Sequence, residues 1–432
     1  MNKSLYFSVI AILILSTFAT AQFKIKIPKI GKEKPQVPNV TESGNASGSS
    51  GGKNRQMVID DGFTFFEATP VKERSEKYKG DISKGWTLTA NLRVFGTFPN
   101  NSGFKIIVIQ NGKALATYSC TGKTHRKSES PVREVKNSPD DDFMSTETGG
   151  SCGRKENIFV EKPGKYDVQI FAVNGDTDAA SLLRTYKIDV HEAKKIRPGN
   201  LPGASDFYIQ RYAETPVAVL YLRPGLESGR VKPDYHEKGM GTSLKGNVDI
   251  YFNMAATENS DSLSFDGVPY ARCFVNGQRV NFENEGQVKI QSVRGDSAKM
   301  ERDGKPTEYI GFYNFWLNLP IVWKGNGQSG NPNMEKQTGE WKCDLRNGSE
   351  TIRTFKWNVG DDGFPIEHFE QKSGNVNLHW GAYLIDVDIP AGGSSLDGRL
   401  MPTPNAGLFY GIPWKTERNA TVPAKGKPFL TP

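Results

Sequence analysis

The stretch GEWKCDLRNGSETIRTFKWNV, residues 339–359, decides how this chain folds. Its first half alternates apolar and charged residues, which is the period of a strand with one buried face. The apolar members are Trp341, Cys343 and Leu345. Asn347-Gly348 then supplies the positive φ angles of a tight turn. The same alternation resumes after the turn and runs to Val359, so we predict a β-hairpin.

An earlier stretch repeats this pattern. GKYDVQIFAVNG begins at residue 164, and LLRTYKIDV ends at residue 190 after a short insertion. Both copies contain Arg-Thr-aromatic-Lys-x-x-Val. Aligning Asn111-Gly112 with Asn276-Gly277 places Cys273 opposite Val108, and aligning the hairpins places Cys343 opposite Val168. The chain is therefore predicted to hold two related β-domains.

The first 21 residues have the pattern of a signal peptide. Lys3 precedes the apolar run 5–15, which is short for a membrane span, and Ala19-Thr20-Ala21 offers small residues for cleavage. Residue 22 is not cysteine, so lipid attachment of the bacterial lipoprotein kind is not expected. We predict a protein that is secreted, periplasmic or on the cell surface after cleavage near Ala21. An uncleaved anchor is the alternative.

Residues 22–57 read as a disordered linker, first basic and then rich in Gly and Ser. The formal net charge of the chain is +7, and part of that excess lies here. The clustered lysines are Lys24, Lys26, Lys29, Lys32 and Lys34. They favour an anionic surface as a partner. The domains carry charges of both signs, so a nucleic-acid partner is not expected.

Three folded segments follow the linker. The first β-domain is predicted at 58–192 and the second at 205–360, with a Lys/Pro/Gly-rich connection between them. Residues 361–432 are shorter and lack a closing hairpin. They read as an incomplete third unit or as an extension docked on the second domain. No segment of the mature chain has the length and composition of a transmembrane helix.

Four cysteines in an exported chain predict two disulfides. Three pairings exist on paper. The repeat favours Cys273–Cys343, since both cysteines fall where the first domain has valine. The remaining pair is Cys120–Cys152, which flanks a long polar stretch found only in the first copy.

The closing hairpins resemble the last two strands of immunoglobulin-like β-sandwiches. In that superfamily a tyrosine lies two residues before the second disulfide cysteine and anchors a corner. Here Trp341 stands two before Cys343, and Tyr166 stands two before Val168. The resemblance implies an all-β fold of two tandem immunoglobulin-like domains. A disordered N-terminal arm and a docked C-terminal β-rich extension complete this architecture. No tryptophan follows Cys273 at the usual distance, and the first domain lacks the cysteine pair.

No catalytic constellation is visible. The five histidines are scattered, and none forms a zinc-binding motif. Asp140-Asp141-Asp142 could attract calcium, but the spacing of a calcium loop is absent and a solvated loop is favoured. We therefore predict a non-enzymatic binding, adhesion or structural protein with no cofactor or metal. The alternative is a secreted hydrolase, such as a carbohydrate-active one, or its accessory, with a site on loop 121–151 or 324–336.

One strand suggests a ligand site. Alternation over residues 312–319 puts aromatic and amide side chains on one face, a combination that stacks on sugar rings and bonds hydroxyls. These residues are Phe312, Asn314, Trp316 and Asn318. The predicted ligand is a glycan or a protein. The alternative, which the residue pattern favours, is a strand covered on both faces.

Overall fold

The computed structural model describes residues 58–95, 102–120, 132–137, 158–174, 177, 179–209, 215–222, 247–257, 269–282, 286–302, 305–323, 331–378, 381–394, 396–398, 403–404, 409–415 and 421–422. All of them lie in the compact unit Ser50–Pro432. The predicted signal peptide, the linker 22–57, Cys152 and most of the loop 121–151 lie outside these residues, as does 324–330.

The described residues are mostly antiparallel β-strands, which confirms the all-β prediction. The strands of the N-terminal half are β1 (Val58–Ile59), β2 (Phe65–Ser75), β3 (Gly80–Phe95), β4 (Ser102–Gln110), β5 (Lys113–Cys120), β6 (Val132–Asn137), β7 (Gly164–Asn174), β8 (Ala180–Ala193), β9 (Ile196–Arg197), β10 (Leu201–Pro202) and β11 (Asp206–Ile209).

The C-terminal half continues the pattern. Its strands are β12 (Val217–Leu222), β13 (Asn247–Thr257), β14 (Tyr270–Val275), β15 (Gln278–Arg279), β16 (Lys289–Arg302), β17 (Lys305–Val322), β18 (Gly339–Asn347), β19 (Glu350–Val359), β20 (Ala382–Asp388), β21 (Thr403–Pro404) and β22 (Thr421–Val422). A 3-10 turn, Met334–Lys336, precedes β18, and a short helix α1, Phe369–Lys372, precedes β20. No helix among the described residues is long and apolar enough to cross a membrane.

Two sheets pack face to face in the N-terminal half. One has the order β1-β3-β2, with β6 also paired to β3, and the other has the order β11-β8-β7-β4-β5. Trp86 and Leu88 of β3 meet Val108 and Val168 of the second sheet in one buried core, which we call the first core. The Tyr118 hydroxyl accepts a 3.0 Å hydrogen bond from the Leu88 amide, so the two layers are also bonded directly.

The C-terminal half forms a nine-stranded sheet with the order β15-β14-β18-β19-β20-β12-β13-β17-β16. This sheet folds over on its own inner face. Phe252 of β13 lies 5.2 Å from Phe355 of β19 between ring centroids, although two strands separate β13 from β19 in the sheet. The inner side chains form a second buried core, and burial of this apolar surface drives the curvature.

The strand order is the same around the two predicted hairpins. The order β5-β4-β7-β8 recurs as β15-β14-β18-β19. Val108 pairs with Val168 in the first copy, and Cys273 pairs with Cys343 at the same place in the second. The disulfide Cys273–Cys343 is thereby confirmed. It joins neighbouring strands of one sheet, whereas the immunoglobulin resemblance implies a bridge between two sheets. Cys120–Cys152 stays a prediction.

Both hairpins carry a corner bond. The Tyr166 hydroxyl donates to the Lys162 carbonyl at 2.5 Å, and Trp341 Nε1 donates to the Gln337 carbonyl at 2.7 Å. Each bond reaches four residues back along the chain. A ring with a polar tip therefore fixes the entry into β7 and into β18.

The C-terminal segment is built into the fold instead of being docked on one domain. Its strand β20 lies between β19 and β12, so it is central to the nine-stranded sheet. Ala382 and Leu384 enter the first core, while Ile385 and Val387 enter the second. A strand with apolar residues on both faces must be covered on both, which a peripheral extension does not achieve. β11, predicted to open the second domain, instead pairs with β8.

A buried carboxylate ties the first sandwich to this C-terminal segment. Asp61 is fully buried, and Arg184 contacts both of its oxygens, at 2.9 Å from Nε and 2.6 Å from Nη2. The Tyr186 hydroxyl donates to it at 2.6 Å, and the amide of Asn377 at 2.7 Å. Arg184 also donates to the Asn375 carbonyl at 2.6 Å. We call this cluster the Asp61 clamp.

Candidate functional site

The outer face of the nine-stranded sheet is divided into two parts. Around β20 and β12, its side chains pack into the first core and are buried there. Around β14, β15, β18 and β19, its outward side chains are half-buried or exposed, with Thr354 as a buried exception. A ligand site on this sheet is therefore expected at the second part, where a sheet face reaches solvent.

The row predicted from sequence lies beyond the covered part, on β17. Trp316 is half-buried and stacks on Tyr251 of β13 at 5.3 Å between ring centroids. Tyr251 in turn contacts Phe63 of the first sandwich at 4.5 Å. Asn318 is half-buried and donates to the Asp249 carboxylate at 2.6 Å.

The other two members of the row are Asn314 and Phe312. Asn314 is half-buried opposite Asn253, and Phe312 pairs with Ala255 through the backbone. The row thus follows β17 beside β13, where two of its side chains contact protein groups. Its role in ligand binding stays a prediction.

A cavity of about 560 Å³ lies at the β14–β15 end of the sheet. It contains two arginines, two aromatic rings and two amides. Its lining residues are Tyr270, Ala271, Arg272, Arg279, Val280, Asn281, Phe282 and Gln287. We call it the arginine pocket. Its volume falls within the range of about 300–1,000 Å³ that is typical of small-molecule sites.

The β14–β15 hairpin positions the two arginines. Asn276 and Gly277 have φ angles of 50° and 78°, as a tight hairpin turn requires. Alternation along β14 turns Cys273 into the second core and leaves Arg272 and Phe274 on the outer face. Arg279 of β15 stands directly opposite Phe274. The two arginines are therefore diagonal neighbours across the hairpin.

The turn is anchored to the next strand. The Asn276 side chain accepts a 2.9 Å hydrogen bond from the Glu340 amide and donates to the Thr338 carbonyl at 3.0 Å. Gly339 adopts φ +108° beside it, and a Cβ on Gly339 would lie 2.2 Å from Asn276 Oδ1. Glycine is thus required at this position for the β14–β15 turn to pack against β18.

In the described part of the fold, the arginines of the pocket are not engaged in ion pairs, although β18 places Asp344 opposite Arg272. Within the described part of the chain, Arg272 and Arg279 make no ion pair and no hydrogen bond, and Arg272 Nε is buried. Arg346 nearby is different, because its Nε donates to the Tyr270 hydroxyl at 3.2 Å and its Nη1 to Thr351 at 3.0 Å. Arg279 is exposed, whereas Arg272 is half-buried, and a half-buried guanidinium without an ion-pair partner favours an anionic ligand.

Two buried ion pairs elsewhere, Asp61–Arg184 and Arg353–Asp397, join segments of the fold. Burial raises the pKa of Asp61, and the donors around it oppose that rise. Burial acts to lower the pKa of Arg184, but the Asp61 carboxylate outweighs it and the pKa is raised. Arg353 and Asp397 form a second buried pair at 3.4 Å. Among the described residues, no group of three or more His, Cys, Asp and Glu side chains could hold a metal ion.

Sequence reasoning missed the arginine pocket, although part of its signal was present. Tyr270, Arg272 and Phe274 alternate with apolar residues before the Asn276-Gly277 turn, and Arg279 follows it. That pattern places a basic and aromatic face on the hairpin. Charged residues on an exposed strand are common, however, and only the structure shows that these two form no ion pair among the residues it describes.

Comparisons of the chain with protein-family models, with curated proteins and with solved structures find no match.

Proposed function

We propose that this chain is an exported, non-enzymatic binding protein that holds acidic carbohydrate in the arginine pocket. Its scaffold in this proposal is a pair of tandem immunoglobulin-like β-sandwich domains. The observation that carries the proposal is that Arg272 and Arg279 lie in one cavity of about 560 Å³ and form no ion pair with any residue that the structure describes.

The lining chemistry suits a sugar that bears a carboxylate. A guanidinium presents a planar fork of donors that matches a carboxylate in bidentate geometry. Tyr270 and Phe282 offer aromatic rings, and Asn281 and Gln287 offer amides that both donate and accept. A uronic acid has an apolar ring face, hydroxyls and one carboxylate. Each of these features has a counterpart among the lining residues.

The same residues favour binding over catalysis. Glycoside hydrolysis uses a pair of carboxyl groups as acid and base or nucleophile. Among the described residues, those that line the arginine pocket include no carboxylate and no histidine. The described lining can therefore fix an anionic sugar, but it offers no pair of carboxyl groups for hydrolysis.

A titration with single sugars tests this proposal. Binding of D-galacturonate and of D-galactose to the full chain is followed by ligand-observed NMR. We expect galacturonate to bind at least about tenfold more tightly, since hydrogen bonds to a charged group contribute about 1.5–3 kcal/mol. Arg272→Met removes that preference. The control is Arg74→Met, which deletes the same charge from an exposed position on β2. Equal affinity for both sugars, or an unchanged preference in Arg272→Met, contradicts the proposal.

A further inference from the structure

A basic row continues from the arginine pocket across the sheet. Strand register places Arg279 opposite Phe274, Phe274 opposite Lys342, and Lys342 opposite Lys356. The row crosses β15, β14, β18 and β19 at right angles to the strands. Neighbouring strands are about 4.8 Å apart, so the row is roughly 14 Å long. This is longer than one sugar ring.

The middle of this row is uncompensated. Lys342 makes no ion pair within the described residues, and its Nζ lies 6.0 Å from the centroid of the Phe274 ring. Lys356 at the far end forms an ion pair with Asp388 of β20. The row therefore consists of Arg279, the half-buried ring of Phe274 and Lys342, and it ends at Lys356. Among the described residues, Arg279 and Lys342 form no ion pair, whereas Lys356 does.

The neighbouring row adds acceptors to these donors. Arg272 stands opposite Asp344, and Asp344 stands opposite Thr354. The Asp344 carboxylate accepts a 2.6 Å hydrogen bond from the Thr354 hydroxyl, which leaves its second oxygen available to a further donor. A face for a phosphate polymer would be positive throughout. A mixed face suits a polymer that carries hydroxyls between spaced carboxylates.

We infer that the ligand is a chain of acidic sugars, which lies along the row Arg279–Phe274–Lys342 with one residue seated in the arginine pocket. This inference rests on the proposed function and extends it from one sugar to a polymer. Arg279 and Lys342 each meet a carboxylate of the chain, and the Phe274 ring packs under the sugar between them. Each additional contact between a basic side chain of the row and a carboxylate of the ligand raises the affinity, until the ligand spans the whole row.

A length series tests this inference. The probes are galacturonate, di-, tri- and tetragalacturonate, titrated into the full chain at fixed ionic strength. We expect the affinity to rise at least about tenfold from one sugar to three and then to level off, because the part of the row from Arg279 to Lys342 spans two strand spacings, roughly 10 Å. Lys342→Met lowers the affinity for trigalacturonate about fivefold, which corresponds to about 1 kcal/mol, and leaves that for galacturonate within about twofold. Lys72→Met, at an exposed position on β2, is the matched control.

The outcomes separate the two proposals. Equal affinity for one and three sugars, with galacturonate still bound, overturns the row and leaves the pocket intact. Binding of trigalacturonate without any response to Arg272→Met overturns the pocket. A thymidine oligonucleotide of the same charge that binds as tightly as trigalacturonate overturns the assignment to carbohydrate. Absence of binding to every probe refutes both.

Discussion

Replacing the disulfide by a valine pair tests the repeat on which the fold was predicted. Cys273 and Cys343 are both fully buried and lie 70 residues apart in sequence. The loop-entropy relation gives a loss of about 4 kcal/mol for opening a loop of that length. Val108 and Val168 occupy the equivalent pair in the first copy and are also fully buried. A valine pair is therefore expected to fill the space of the disulfide, so that lost packing adds little to the destabilisation caused by opening the loop.

The assay is equilibrium unfolding in urea under non-reducing conditions. We expect Cys273→Val/Cys343→Val to lose about 2–5 kcal/mol of unfolding free energy, and either single substitution to lose more. The converse variant Val108→Cys/Val168→Cys should form a new disulfide and serves as the matched control. A double variant that loses less than about 1 kcal/mol, or that is less stable than both single variants, refutes the reasoning.

Three further substitutions test other parts of the structure. Trp316→Ala should lower the free energy of unfolding by about 2–4 kcal/mol, because the side chain is half-buried and stacks on Tyr251. A variant with the thermal stability of the wild type would contradict this. Asp61→Asn should lower the free energy of unfolding by about 3–5 kcal/mol, because it leaves the Arg184 charge without its carboxylate. Asp81→Asn, at an exposed position, is the control and should not shift the thermal midpoint. Burial lowers the pKa of His191 from its ordinary value of 6.5. The unfolded chain therefore binds that proton more readily than the folded chain, so the free energy of unfolding falls as the pH drops below 6.5. His191→Gln should reduce this fall, measured by urea titrations at pH 7 and pH 5.

Patterns among residues close together in sequence were sufficient to predict the hairpins and one disulfide. Alternation of apolar residues and the Asn-Gly turns depend on nearest neighbours along the chain, so they are readable in one sequence. The pairing of Cys273 with Cys343 followed from comparing two hairpins that share strand order. The structure gives the matching pair Val108 and Val168 the same register.

Long-range placement could not be read in the same way. The strands beside β20 are selected by packing in both cores, because β20 has apolar side chains on both of its faces. The Asp61 clamp joins groups that are 123 and 316 residues apart in sequence. The contact of Trp316 with Tyr251 also depends on the neighbouring strand β13. The sequence shows that Arg272 is charged, but it does not show that Arg272 forms no ion pair among the described residues although Asp344 stands opposite it. That is a tertiary property, and it is the one on which the proposed site depends.

The central claim is that Arg272 and Arg279 contact the carboxylates of an acidic sugar. The most direct measurement is the NMR signal of the Nε–H group of each arginine in a ¹⁵N-labelled chain, followed while trigalacturonate is added. The account predicts saturable shifts for Arg272 and Arg279 with one common dissociation constant, and no shift for Arg74. Unchanged signals of Arg272 and Arg279 at ligand concentrations that saturate the protein would contradict it.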